Sequence, residues 1–407
     1  MGKRCGYSFW GYLADTKRNQ FREKVSSPDG NAFYSWCIIR ELQKRGYNVE
    51  RLMPERDWSP VIQTDSESNA FKSWVKDDRY YAWCNSTPLM ITPTYENIAL
   101  HSNLCEREQN VREYLTNIVS KHIEGCEFVL HEWRMLIKGR NDINTLINDL
   151  HNWQPDYMIQ EIIIDECIRQ DIKLFIFDLD YKLTIDMYLD MIAKGANITI
   201  LELGKKWSSI SKELNLREVY IPFDFDHIND FSIKELSQRK NDLVYVGNRY
   251  ERDWCIYKYI PEDLNNVTIY GNWLEGDRDS AKRWSRLKFR GRIQTGDMYS
   301  VYSNSICTIL LAKREYCMHG FMTARLLESI FYGSVPLFIE EYGKDVIEEF
   351  AGDYADILTV KDKQDVKDKI DMFKQQSKLF LDVINYLRRR LKFMDVKYFV
   401  NILMEEK

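Results

Sequence analysis

His319-Gly320-Phe321-Met322-Thr323-Ala324-Arg325-Leu326-Leu327-Glu328, followed by Tyr332-Gly333-Ser334-Val335-Pro336-Leu337-Phe338, is the stretch that decides the fold. A glycine turn opens into a helix expected from about Thr323 to Tyr332, and Gly333 closes it before a buried strand over Val335–Ile339. The first turn of a helix presents N–H groups with no partner inside the helix, which suits an anion. Arg325 and Glu328 lie about one turn apart on it. The guanidinium can brace a phosphate or the carboxylate, and the carboxylate can accept hydrogen bonds from a diol. The same spacing also fits a plain helix–strand unit carrying a surface Arg–Glu pair.

Working outward, Leu243–Gly247 and Val267–Gly271 are apolar runs that end in glycine, Phe289–Ile293 is a shorter version, and Ile306–Leu311 reads as a strand. Strands alternating with helices predict a parallel sheet. The N-terminal half repeats the pattern. A strand over Lys3–Phe9 leads through a polar stretch to a helix starting near Ser27-Pro28-Asp29-Gly30-Asn31 and ending at Gly46, then to a strand over Asn48–Met53. Residues 55 to about 150 break the rhythm, with Trp58, Trp74, Tyr80, Tyr81 and Trp83 close together, and read as an inserted helical segment. After Pro155 come helix Ile159–Gln170, strand Ile172–Phe177, helix Ile185–Lys194, strand Asn197–Leu203 and a short strand over Val219–Pro222. Residues 224–241 are polar and read as a connection; 362–407 read as helical. The expected fold class is α/β, two Rossmann-like α/β/α domains facing a central cleft, with a helical insertion in the first. The expected bounds are 1–230 for the N-terminal domain, 231–375 for the C-terminal one, and 376–407 for helices packing back on the N-terminal domain. In open parallel sheets a ligand sits beyond the carboxyl ends of the strands, which here is the cleft.

Length and composition agree with this. The chain has 407 residues, and a single hydrophobic core rarely grows beyond about 250–300 residues. Charged residues are 29% and hydrophobic ones 44%, a globular balance. Aromatic content is 14%, which suits stacking on rings, although an AT-rich genome would inflate Tyr, Asn, Ile and Lys together. The net charge of -5 means that any nucleic-acid contact needs a local basic patch. No apolar run is long enough to span a membrane, and the first residues lack an apolar signal core, so no membrane partner and a cytoplasmic location are expected. Nine cysteines without a C-x-x-C pair read as free thiols, and six histidines show no metal-ligand spacing.

The 319–338 stretch resembles the donor-binding signature of GT-B glycosyltransferases, closest to the family 1/family 4-like and CgeB-like groups, where a glycine loop precedes an Arg/Glu helix and a small-Gly-x-x-Pro strand. The resemblance implies that Glu328 holds the ribose of a nucleotide-sugar while Gly320, Phe321 and Arg325 surround its diphosphate. The chain departs from the retaining families' pair of glutamates separated by seven residues: His319 stands near the first one's place. Val246-Gly247-Asn248-Arg249-Tyr250-Glu251-Arg252 resembles the glycine loop after the first strand of a GT-B C-terminal domain, implying that Gly247, Asn248, Arg249 and Arg252 meet the pyrophosphate from the other side. Gly291-Arg292-Ile293, with Met298-Tyr299, looks like the loop that pairs with a uracil-like edge, and Lys313 and Arg314 add positive charge near the leaving group. The implied co-substrate is a UDP-sugar, with no permanently bound cofactor and no metal, since arginines and a helix end can replace a cation.

The N-terminal half is expected to supply acceptor and base. Phe175-Ile176-Phe177-Asp178-Leu179-Asp180 is an apolar strand ending in D-x-D, which also resembles the first motif of haloacid-dehalogenase-type phosphatases and the manganese clamp of GT-A transferases. Lys182 stands where the phosphatases carry Thr or Val. In a GT-B frame Asp178 or Asp180 is the candidate general base, or else caps the following helix; Asp15 is the second candidate. Tyr7, Trp10, Asp29 and Asn31, at the exit of the first strand and the start of the first helix, are candidate acceptor contacts. Lys72, Lys76 and Arg79 among clustered aromatics would suit an extruded base, or simply a solvated subdomain. In general character the chain resembles phage-borne glycosyltransferases that decorate hydroxymethylated pyrimidines in viral DNA. Three functions follow: sugar transfer to double-stranded DNA bearing such bases in a host cytoplasm; the same chemistry on a surface glycan, cell-wall or spore component, or protein; or a phosphatase-like or non-catalytic nucleotide-binding protein. A monomer is expected.

Overall fold

The computed structural model describes residues 2–8, 30–52, 112–113, 116–117, 119–133, 156–179, 181, 183–226, 231–249, 251–264, 266–271, 273, 287–291, 293 and 298–405. Their strands form two six-stranded sheets. The first contains β1 (Lys3–Ser8), β2 (Tyr47–Arg51), β3 (Phe128–Glu132), β4 (Lys173–Phe177), β5 (Ile198–Leu203) and β6 (Leu216–Val219), in the order β2-β1-β3-β4-β5-β6. The second contains β7 (Asn241–Val246), β8 (Val267–Tyr270), β9 (Lys288–Arg290), β10 (Ser305–Leu310), β11 (Val335–Ile339) and β12 (Thr359–Val360), in the order β12-β11-β10-β7-β8-β9. Every pairing is parallel.

Parallel sheets survive only with both faces covered, so their central strands are apolar throughout rather than alternating. All residues of β3, β5, β10 and β11 are accordingly buried. Strand order reverses between β1 and β3 and between β7 and β10, the two positions where the chain parts to opposite sides and leaves a crevice at the carboxyl ends.

Three expectations need correction. The stretch 55–150 is not wholly an insertion: β3, from within it, sits between β1 and β4 in the middle of the first sheet. Most of the remainder, with its Trp and Tyr cluster and Lys72, Lys76 and Arg79, lies outside the described residues. The sixth strand is Leu216–Val219 rather than Val219–Pro222, because its register with β5 runs from Ile200↔Leu216 to Leu203↔Val219. The helix after the glycine turn covers only Arg325–Phe331.

The chain passes from the first sheet to the second through residues 220–240 and returns near its end. The N–H of Phe223 donates to the Met394 carbonyl (3.2 Å), and the N–H of Val396 donates to the Phe223 carbonyl (2.8 Å). Helix Val396–Leu403 then packs on helix Gly30–Lys44 of the first half. Phe399 seats its ring on Phe177 at 5.1 Å. Aromatic rings bind the halves where they meet: Phe223 lies 5.5 Å from Tyr34 and 5.3 Å from Phe331. The seven described cysteines are buried and free. Among the described residues no helix is long and apolar enough to cross a membrane.

Candidate active site

A cavity of about 420 Å³ opens between the two halves at the carboxyl ends of β7, β8 and β10. The strand-order reversal between β7 and β10 places it, because the loops after those strands diverge there. The first half contributes Tyr34, Leu179 and Ile221; the second contributes the rest of the wall.

Gly247, directly after β7, lets the backbone pass under the Arg325 guanidinium. A Cβ at this position would fall inside that guanidinium and 2.6 Å from the Tyr245 hydroxyl. Arg325 donates through Nε to the Val246 carbonyl and through a terminal nitrogen to Thr323 Oγ1 (3.2 Å), with the Tyr245 ring 5.3 Å from the guanidinium carbon. The planar fork is therefore fixed before any ligand arrives, which lowers the ordering entropy of anion binding. Arg252, 4% exposed, and Lys313 also line the cavity; Arg252 donates to the Asn248 carbonyl at 3.3 Å.

Among the described lining residues Glu328 is the carboxylate. Tyr302 donates to its Oε2 (3.1 Å), and Tyr34, reaching across from the first half, donates to its Oε1 (3.4 Å). Burial pushes this carboxyl above its ordinary value, and Arg325 and the two tyrosines oppose that. Each carboxylate oxygen has two lone pairs, so a diol can still be accepted beside the tyrosines.

Of the sequence-expected donor contacts, Gly247, Asn248, Arg252, Ile293, Lys313, Phe321, Arg325 and Glu328 line this one cavity. Arg249 does not: it pairs with Asp253 at 2.7 Å. Arg314 stacks 4.9 Å from the Trp254 ring, away from the lining. His319 and Gly320 form the loop behind the wall; the His319 carbonyl accepts from the Lys205 N–H at 2.7 Å. Arg292 lies outside the described residues. A seven-residue helix with no side-chain cap is a weak dipole, so positive potential here comes mainly from the three side-chain cations.

The acceptor-side expectations fare differently. Tyr7 is fully buried and donates to Glu132 Oε1 (2.8 Å), so it is a core residue of the first sheet rather than an acceptor contact. Asp178 is 3% exposed and its Oδ2 accepts the Leu183 N–H (2.8 Å), so it clasps the turn after β4. Asp180, Asp15, Trp10 and Asp29 and the side chain of Asn31 lie outside the described residues. Sequence reasoning missed Tyr34 and Tyr302, whose aromatic spacing signals only packing. Among the described residues no group of three or more His, Cys, Asp or Glu side chains could hold a metal ion.

No protein-family model matches the chain, and no curated protein matches its sequence. Solved structures do match in shape. The DNA-modifying beta-glucosyltransferase, studied with and without uridine diphosphoglucose, is 12% identical with a TM-score of 0.56 over 99% of both chains. The T4 phage beta-glucosyltransferase with UDP and Mn2+ is 13% identical, TM-score 0.56, over 99% of both. An alpha-glucosyltransferase bound to UDP-glucose and DNA containing an abasic site is 11% identical, TM-score 0.56, over 99% of this chain and 98% of that one. The fold is that of the GT-B glycosyltransferases.

Proposed function

We propose that the chain is a glycosyltransferase that moves a sugar from a UDP-sugar to an acceptor hydroxyl, and that the acceptor is a hydroxymethylated pyrimidine in double-stranded DNA. One observation carries the donor part: Arg252, Lys313 and Arg325 converge with the buried Glu328 on one cavity at a strand-order reversal. A diphosphate between the cations and a ribose diol on the carboxylate would use every charged group of that lining. Lys313 and Arg252 would stabilise the charge that grows on the departing diphosphate, and fixed charges facing a developing anion give the largest rate advantage for such a leaving group. The apolar end near Ile293 and Met298 suits the base.

The acceptor part is supported by two of the shape-matched structures, one a DNA-modifying enzyme and one bound to DNA containing an abasic site. The general base is proposed to be Asp180, with Asp15 as the alternative. The three cations put positive charge where a divalent ion would otherwise sit, so transfer is expected to persist in EDTA; activity lost in EDTA and restored by Mn2+ would overturn that part.

The test is direct. Calorimetry should show UDP-glucose binding, and labelled glucose should pass to hydroxymethylated duplex DNA but not to unmodified duplex. Glu328→Ala should weaken donor binding tenfold or more, on the order of 1.4 kcal/mol, while Asp180→Asn lowers turnover with donor affinity intact. A wild-type protein that binds no nucleotide-sugar would sink the donor reading. Binding without transfer to DNA, and no gel shift at low salt, would sink the acceptor reading alone.

A further inference from the structure

We infer that Tyr181 is a positioning residue that docks the turn after β4 onto the Tyr316–Phe321 segment of the second half and thereby sets how the first half meets a bound donor. The inference rests on the reading of the cavity as a nucleotide-sugar site. Tyr181 holds φ at 56°, in the left-handed region that bulky side chains avoid. Such a conformation costs free energy and persists only where its surroundings over-determine it.

Contacts from both halves do so. Within the first half, the Tyr181 hydroxyl donates to the Leu203 carbonyl, and its own carbonyl accepts from Lys206 Nζ at 3.0 Å. That ammonium also lies 4.9 Å from the ring centre. Burial holds the phenol above its ordinary value, so it stays a donor. Across the cleft, the ring meets Phe321 at 5.2 Å, Tyr316 at 5.6 Å and His319 at 5.9 Å. Gly204 permits this approach. With φ at 74°, it carries no Cβ that would strike the His319 carbonyl and crowd the Tyr181 hydroxyl (2.9 Å) and the Phe321 nitrogen (3.0 Å).

Tyr316 and Phe321 line the cavity from the second half, and Leu179, two residues before Tyr181, lines it from the first. One ring is thus wedged between the wall that faces a donor and the turn that faces it from the other side. A turn needing only a left-handed residue would take Gly or Asn without strain. The strained backbone here serves the ring.

The test uses the full chain with two variants. Tyr181→Asn keeps a residue that tolerates the left-handed backbone but removes the ring; Tyr181→Phe keeps the ring and removes the hydroxyl. The Lys205 N–H, held by the His319 carbonyl across the cleft, reports docking by hydrogen exchange. In Tyr181→Asn its exchange should accelerate about tenfold or more. In the same variant, kcat for transfer from UDP-glucose should fall about thirtyfold with the donor KM within about threefold. Tyr181→Phe, which loses the Leu203 bond but keeps the ring contacts across the cleft, should be affected clearly less than Tyr181→Asn in both. Unchanged Lys205 protection and kcat in Tyr181→Asn overturns the inference; so does a Tyr181→Phe variant as impaired as Tyr181→Asn, which would assign the effect to the hydroxyl. If wild type transfers no sugar, the proposed function fails and the exchange measurement alone decides the docking.

Discussion

At the scale of single residues, the cavity depends on Gly247 and Arg325, which cannot be changed independently. A methyl group at Gly247 would occupy the space of the Arg325 guanidinium. Gly247→Ala is therefore expected to leave the fold intact while weakening UDP-glucose binding about tenfold or more, read by calorimetry. Glu328 adds a dependence on pH. Burial raises its carboxyl above the unfolded value, so its contribution to stability is whole below the unfolded value and is lost as pH rises through the folded one. Glu328→Gln removes that loss. The melting-temperature difference, variant minus wild type, should grow in the variant's favour between about pH 4 and pH 8, and a difference that shrinks would contradict the sign. Arg252, Arg325 and Glu328 are readable from sequence because glycine-containing motifs carry them. Tyr7 misleads for a plain reason: a strand exit points towards a cleft, but a strand buried on both faces also keeps its polar side chains inside when partners are supplied. Glu132 and Ser35, distant in sequence, supply them here.

At the scale of elements, β3 shows where pattern reading ends. Phe128-Val129-Leu130-His131-Glu132 carries two polar residues in five, which argues against a central strand. Both are buried and partnered from afar: His131 Nε2 lies 2.9 Å from Gln160 Oε1, and Glu132 accepts from Tyr7. Tertiary hydrogen bonds override the local pattern. By contrast β4 and β7 were legible from the uninterrupted apolar runs Leu174–Phe177 and Leu243–Val246, and β5, β8, β10 and β11 from mostly apolar, β-branched stretches bounded by turn residues in a chain of alternating helices. The last helix makes an element-scale expectation. Phe399 is 4% exposed against Phe177. Phe399→Ala should cost about 3–5 kcal/mol in denaturant unfolding, the usual range for a buried Phe truncation. A loss below about 1 kcal/mol, the range of surface substitutions, would mean the helix is not part of the first half's core.

At the scale of the whole molecule, the two sheets are not two independent stretches of chain. Helix Val396–Leu403 completes the first half, and Arg45 ties into it through the Lys397 carbonyl at 3.2 Å. A fragment of residues 1–230 is expected to be unstable alone and to gain a cooperative melt when a peptide of residues 391–407 is added. A fragment that melts cooperatively without the peptide would refute this. Net charge of -5 adds a second whole-molecule expectation: any duplex affinity must come from a local basic face, so it should fall steeply between about 50 and 200 mM salt.

The return of the chain at Phe223 and Asp395 also fixes an order of assembly during synthesis. Ribosomes deliver the amino end first, and most proteins fold in that direction. Here the half made first lacks helix Val396–Leu403 until after the strands of the second half have been made. A ribosome-tethered chain with residues 1–390 outside the tunnel, carried on a C-terminal linker, should therefore resist protease over its later sheet before its earlier one.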